Sequence, residues 1–295
     1  MPIMNQHNKS LINIHTAIFL FGFSALFARL VNQPSIIITF GRVFFSSLFL
    51  FVFTRYNKLN LKLNSKKDYL LIIISGMILA IHWFCFMQSI QLSTVAIGTI
   101  TFSAFPLFTS FLEPVFFKEK IKIRSVVCSL IMLVGIFMLA KTNNGQESAQ
   151  KINGIITGLV SSLTYAVLSL FNRNFSSKYK SEAIVFYEQL SATIVILPIM
   201  FLIKPMISGK DLILLAILGV VFTALAHGLF VKGLRYVKVS TAGVISGLEA
   251  VYSIVLASFL LKEIPGFNEI LGGLIVIIIA GYITISGKNN EYAAE

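Results

Sequence analysis

The chain has 295 residues, 56% of them hydrophobic and only 12% charged, with a mean hydropathy of +0.86. A water-soluble protein of this length covers its surface with polar side chains, so this balance excludes one. The formal charge of +12 does not mark a nucleic-acid binder either, because the lysines and arginines sit in short segments between apolar runs rather than along one face.

Met1 to Ser10 is polar with one lysine, and Leu11–Val31 then opens the first apolar run. That run is too long for a signal-peptide core and lacks a small-x-small cleavage site, so it is read as a membrane span. Nine more follow: Ile36–Phe53, Tyr69–Gln91, Thr94–Phe117, Arg124–Ala140, Ile152–Asn172, Glu182–Ile203, Asp211–Leu234, Ser240–Leu261 and Asn268–Ser286. Each is near the ~20 residues a helix needs to cross about 30 Å of hydrocarbon. In that medium the backbone must pair internally, which runs of this length do as helices; the short alternating segments of a β-barrel are missing. The expected fold class is therefore all-α transmembrane with ten helices. The connections are too short to carry a soluble domain. Cys85 and Cys128 fall inside apolar runs and read as packing residues rather than a disulfide or metal pair.

With the N-terminus placed in the cytoplasm, the inside segments hold 17 lysines and arginines and the outside loops hold 6, leaving Arg42 within a span. This asymmetry predicts cytoplasmic N- and C-termini in a multi-pass protein of the cell (inner) membrane.

The sequence also repeats. Phe21–Leu30 (FGFSALFARL) matches Tyr165–Asn174 (YAVLSLFNRN) at an offset of 144, and the same offset carries Glu119 onto Glu263. A small-residue phrase from Leu92 to Ala96 returns from Val239 to Gly243, slipped by three positions. In the same order, these phrases point to two five-helix units, 1–145 and 146–295. Five is odd, so the second unit enters the membrane from the opposite side. Inverted repeats of this kind place a substrate site near the midplane between the halves.

Gly41-Arg42, Pro106-Leu107-Phe108 followed by Lys118-Glu119, Asn172-Arg173, Gln189, and Leu248-Glu249 followed by Lys262-Glu263 together resemble the drug/metabolite transporter superfamily, specifically its ten-helix EamA-type permeases. The resemblance covers nearly the whole chain. It implies alternating access by two rocking five-helix units, around a cavity lined by helices one, three and four and by six, eight and nine. It also implies a small-molecule cargo; amino acids and other metabolites are exported by some members, and others import. The chain departs from the family at Ala250, where proline often follows this glutamate.

Polar residues within the spans are the candidate substrate site, because an ionisable side chain at mid-membrane costs about 2.5–3.5 kcal/mol or more unless it faces a cavity or a partner. Glu249 lies nine residues into its span, about 13 Å deep, with Ser246 and Ser253 on the same helical face. It either lines a cavity or pairs with Arg42; cavity lining is the reading taken. Glu188 has Tyr187 and Gln189 as neighbours, and either snorkels to the interface or handles substrate or protons. His82 and His227 nearly correspond under the repeat, one toward each half of the membrane, and could relay protons. Trp83, the only tryptophan, sits deeper than an interfacial belt residue and could stack on a ligand. Tyr165 and Tyr252 complete the substrate-binding candidates. Arg42 needs a counter-charge or a substrate anion; a structural or gating role is the reading for it. Gly154-x-x-x-Gly158 and Gly243-x-x-x-Gly247 read as close helix contacts.

Two acidic acceptors, Glu188 and Glu249, against one fixed cation point to a cargo with a cationic or zwitterionic group, an amino acid or related amine. A proton would take the cation's place when the site is empty. Partners are thus a small-molecule substrate and the lipid bilayer, with protons as a candidate coupling ion and monomer and homodimer both open. No cofactor or metal is expected. Enzyme classes lack their motifs: the only aspartates, Asp68 and Asp211, lie at span edges, and no His-Glu-x-x-His, Gly-x-Ser-Gly or phosphate-loop pattern occurs. A non-transporting scaffold would not need acids and histidines at midplane depth.

Overall fold

The computed structural model describes residues 2–117, 123–140 and 145–289. All regular structure among them is helical: α1 (Pro2–Ser24), α2 (Phe27–Leu30), α3 (Ser35–Tyr56), α4 (Lys66–Leu92), α5 (Val95–Phe102), α6 (Phe105–Phe117), α7 (Ile123–Ala140), α8 (Gly145–Ser176), α9 (Ser181–Ile203), α10 (Gly209–Gly219), a π-helical stretch Val220–Leu225, α11 (Ala226–Gly233), α12 (Val239–Leu260) and α13 (Phe267–Asn289). Among the described residues, eight helical segments are long and apolar enough to cross a membrane. Helices α7 and α13 occupy the two remaining apolar runs and pack against each other. Lys118 and Glu119, part of the sequence motif, lie outside the described residues.

Local chemistry sets the helix ends. Ser65, Thr94 and Ser208 cap α4, α5 and α10 by accepting from the backbone N–H three residues on, each at 3.1 Å. Asp68 and Asp211, the "edge" aspartates, return the favour by accepting from the capping hydroxyls at 3.0 and 2.9 Å. Three spans are interrupted. Ala25 and Leu26 separate α1 from α2; Ser103 and Ala104 separate α5 from α6, just ahead of Pro106, whose ring cannot continue a helix; and the eighth apolar run widens into the π turn.

Side chains facing outward on these helices are apolar, among them Phe19, Phe44, Leu48, Phe51, Val52, Ile81 and Phe201, as lipid contact requires. The centre is a different surface. Helix α4 packs along α8 and α9, α1 lies between α11 and α12, and α3 bridges α9 and α10. Glycine lets α8 close onto α4 and α5: a Cβ on Gly158 would come 2.8 Å from Ser89 Oγ of α4 and 2.0 Å from Thr101 Oγ1 of α5, and one on Gly154 2.8 Å from Ser93 Cβ at the end of α4. Ser89 seals the same seam by donating to the Gly154 carbonyl at 2.6 Å. Gly243 abuts Phe105 and Pro106, whereas a Cβ on Gly247 would meet nothing within 4 Å.

Polar contacts gather at two ends of the bundle. At one end Asn32 and Gln33 reach Asp211 and Met206, Arg29 reaches Ser93 and Glu263, and Lys151 reaches Glu269. At the other, Tyr179 donates to Asp68 at 2.7 Å, Lys178 lies 3.7 Å from Asp68, and Arg173 pairs with Glu113 at 2.6 Å.

Candidate functional site

Helices α1, α4, α5, α8 and α12 converge on a cavity with about 180 Å³ of empty space, lined by Phe21, His82, Trp83, Phe86, Phe102, Tyr165 and Glu249. The lining is largely aromatic. The His82 ring lies 4.6 Å from both Trp83 and Tyr165, and Tyr165 also contacts Phe102 and Phe105. His82 Nδ1 is 3.0 Å from the Ser161 carbonyl and 2.9 Å from the Ser161 hydroxyl. The Ser161 carbonyl can only accept, so a hydrogen on Nδ1 would satisfy it. The room open to a water-sized sphere inside the cavity is only about 10 Å³, so a metabolite enters this space only if its walls move apart.

Two opposite charges sit in this core without meeting. Arg42 is fully buried; its Nε donates to Thr223 Oγ1 and its Nη2 to Ser24 Oγ, both at 3.1 Å. Its guanidinium carbon stands 3.2 Å from the centre of the Trp83 ring, a cation–π stack, and among the described residues Nη1 has no hydrogen-bond partner. Both hydroxyl partners lie at irregular points, Ser24 at the end of α1 beside its break and Thr223 inside the π turn. Thr223 itself donates back to the Leu218 carbonyl, five residues earlier, at 2.8 Å. Glu249, 3% exposed, faces the cavity and makes no hydrogen bond or ion pair within 4 Å among the described residues. A direct Glu249–Arg42 pair is therefore not formed in this structure.

A second polar cluster lies where α8, α9 and α11 meet. Glu188 Oε2 is 3.0 Å from His227 Nε2, with both side chains wholly buried. Among the described residues, Glu188 Oε1, His227 Nδ1, and the side-chain amides of Asn172 and Gln189 meet no partner at hydrogen-bond geometry, although the Asn172 side chain lies close enough to act on the Glu188 carboxyl. Gly76 lets α4 press onto this point: a Cβ there would come 2.6 Å from the Glu188 carbonyl. One face of α8 joins the cluster to the cavity. Ser161, Tyr165, Ser169 and Asn172 are all buried, and the hydroxyls of Tyr165 and Ser169 are unpartnered.

The other candidates lie elsewhere. Tyr187 stacks edge-on with Tyr69 at 5.6 Å, near the Asp68–Tyr179 end. Tyr252 packs against Phe19 at 5.5 Å and over Gly22, on α1. Ser253 donates to the Gly22 carbonyl at 3.0 Å, and Ser246 to its own helix at Ala242. Sequence reasoning did not single out Ser24, Thr223 or the phenylalanines of the lining. The eighth run lines no part of the cavity itself, but contributes Thr223 and His227.

A multi-pass helical protein with a buried, charged and aromatic cavity has the build of a membrane solute carrier. The EamA-like transporter family matches this chain twice, over residues 8–141 and 152–286, and the chain belongs to that family. An uncharacterized transporter of Bacillus subtilis is 24% identical over 94% of this chain and 89% of its own length. S-adenosylmethionine uptake transporters of Rickettsia felis and Rickettsia conorii are 25% and 26% identical, each over 85% of this chain and 83% of their own length. A crystal structure with 16% identity superposes at a TM-score of 0.69 over 94% of this chain and 95% of that one, and supports the fold. The protein is a membrane transporter of a small metabolite.

Proposed function

We propose that the chain is a secondary active transporter that moves an amino acid or related amine across the inner membrane by alternating access, with both termini cytoplasmic. The observation that carries the cargo is the separation of Arg42 and Glu249. Each is buried, each keeps unused hydrogen-bonding capacity, and nothing bridges them. An α-amino acid group supplies what both lack, a carboxylate for Arg42 Nη1 and an ammonium for Glu249, and so relieves two desolvated charges at once. The aromatic lining suits an apolar or aromatic remainder. S-adenosylmethionine combines an amino-acid end, a sulfonium cation and an aromatic base, and the names of the Rickettsia relatives put it first among compounds to test.

Alternating access rests on two inverted five-helix halves. Support comes from the double family match and from the ends of the bundle: the first span finishes beside Glu263 and Asp211, at the end where α8 begins with Lys151 against Glu269. The charge asymmetry of the loops favours cytoplasmic termini.

The test is counterflow in proteoliposomes with a panel of amino acids, amines and S-adenosylmethionine, at two pH values, in wild type and Glu249→Gln. The expected result is exchange of zwitterionic or cationic members, weakened about tenfold to a hundredfold in Glu249→Gln by loss of a charge-assisted contact. A variant that exchanges the same compounds at the same rates and pH dependence would remove Glu249, and the charge argument, from the reading.

A further inference from the structure

Glu188 is the more deeply buried of the two acids within the core, 0% exposed against 3% for Glu249. It is not among the residues that line the cavity; among the described residues it is hydrogen-bonded to an equally buried imidazole, with the Asn172 side chain beside it. A carboxyl and a histidine in contact share a proton, and can hold one more or one fewer without any other ion entering. The unpartnered atoms around them, Glu188 Oε1, His227 Nδ1 and the Asn172 amide, are places where a proton or a bridging water is received. From there the α8 face rises through Ser169 to Tyr165, whose hydroxyl is also unpartnered and whose ring forms the cavity wall. Tyr165 and Asn172 are seven residues apart, about 10 Å along the helix.

Resting on the transport reading above, we propose that Glu188–His227 is the proton site of this transporter, separate from the substrate carboxylate Glu249, and that the Tyr165–Ser169–Asn172 face of α8 connects the two. The proton that loads at Glu188 leaves as the same proton when the site turns to the other side; no bond in the substrate changes. Among the described residues, the titratable groups that feel the pair are Tyr165 on α8, which senses Glu188, and His82 on α4, which senses His227; Arg42 on α3 and Glu249 on α12 act on those two in turn, and Tyr187 on α9 is turned toward Tyr69. Arg42 is tied to Ser24, Thr223 and Trp83, and His82 Nδ1 to Ser161, which leaves the Glu188–His227 pair as the acid–base contact.

Separate sites have separable phenotypes. Proteoliposomes are loaded with trapped pyranine, and the fastest-exchanged member of the panel serves as substrate. In Glu188→Gln, counterflow is expected to continue near the wild-type rate, because exchange needs no net proton movement. Accumulation driven by an imposed pH gradient should fall to an inside-to-outside ratio of unity, and the substrate-induced pyranine signal should vanish. Glu249→Gln should instead lose both counterflow and accumulation. Retention of gradient-driven accumulation and proton flux in Glu188→Gln overturns the proposal, and so does loss of its counterflow, which would merge the two sites. If Glu188→Gln does not reconstitute as a monodisperse protein, His227→Gln is put through the same two assays and the same outcomes decide. Absence of any exchange in wild type removes the transport reading itself, and this proposal with it.

Discussion

At the scale of single residues, the core is organised around one guanidinium. Arg42 serves Thr223, Ser24 and the face of Trp83 at once, which a planar fork with several donors can do and a single ammonium cannot. Arg42→Lys is therefore expected to lower thermal stability in detergent, through about 1–3 kcal/mol of unsatisfied buried hydroxyls, and to weaken substrate binding about tenfold. Unchanged melting and affinity would mean that the stack on Trp83 is incidental. Arg42, His82, Trp83, Glu188 and Glu249 were legible in the sequence because polar groups of that cost stand out in apolar runs. Ser24 and Thr223 were not. Hydroxyl residues can satisfy themselves on their own helix, as Thr39, Thr54 and Thr99 do here, so nothing in the sequence separates a threonine that holds an arginine from those. Tyr252 illustrates the converse: helical spacing brings it close to Glu249 in sequence, yet its ring turns onto α1.

Among elements, the α4–α8 seam does most to fix the site, since it carries His82 and Trp83 on one side and Ser161, Tyr165 and Asn172 on the other. Even alanine at Gly158 puts a methyl group 2.8 Å from Ser89 Oγ on α4 and 2.0 Å from Thr101 Oγ1 on the neighbouring α5, so Gly158→Ala is expected to cost about 1–3 kcal/mol by overpacking. Gly247→Ala, with nothing within 4 Å, should leave the melting temperature unchanged or raise it. Equal melting of both variants would count against the seam. Hydropathy made the apolar runs readable, and most helices fall within a few residues of the expected bounds, but α1 and α8 begin nine and seven residues earlier, at Pro2 and Gly145, because a helix continues through polar residues that hydropathy does not count. The interruptions were less accessible. Pro106 marks the α5–α6 break, but the break in α1 and the π turn at Val220–Leu225 leave no compositional trace, because each is set by what packs against it.

For the molecule as a whole, an ion pair ties its two family-matching halves together at each end: Arg29 to Glu263 at one, Arg173 to Glu113 at the other. Both pairs are partly exposed, so each biases an equilibrium by up to about 1 kcal/mol, or roughly fivefold. In a background lacking Cys85 and Cys128, a cysteine at Phe21 in the cavity wall reports which side is open. Glu263→Gln should raise its labelling by a membrane-impermeant thiol reagent from the Arg29 end, and Glu113→Gln from the other. Shifts of the same sign in both variants, with the reagent on one and the same side, would dissociate these pairs from access. A C-terminal reporter active only on the cytoplasmic side is the expected topology result, and periplasmic activity would overturn both the orientation and the inversion.

The bond between Arg42 and Thr223 spans 181 residues of sequence, and its timing follows from that distance. At about 5–20 residues per second, a ribosome finishes the span carrying Arg42 some ten to forty seconds before Thr223 exists. During that interval the nascent first half holds a cation in lipid with only Ser24 and Trp83 to shield it, and His82 has no Ser161. Synthesised alone, that half would be a substrate for membrane quality control. Translated together as two separate chains, the halves would each supply the other's missing partner, and biogenesis would turn on how soon they meet.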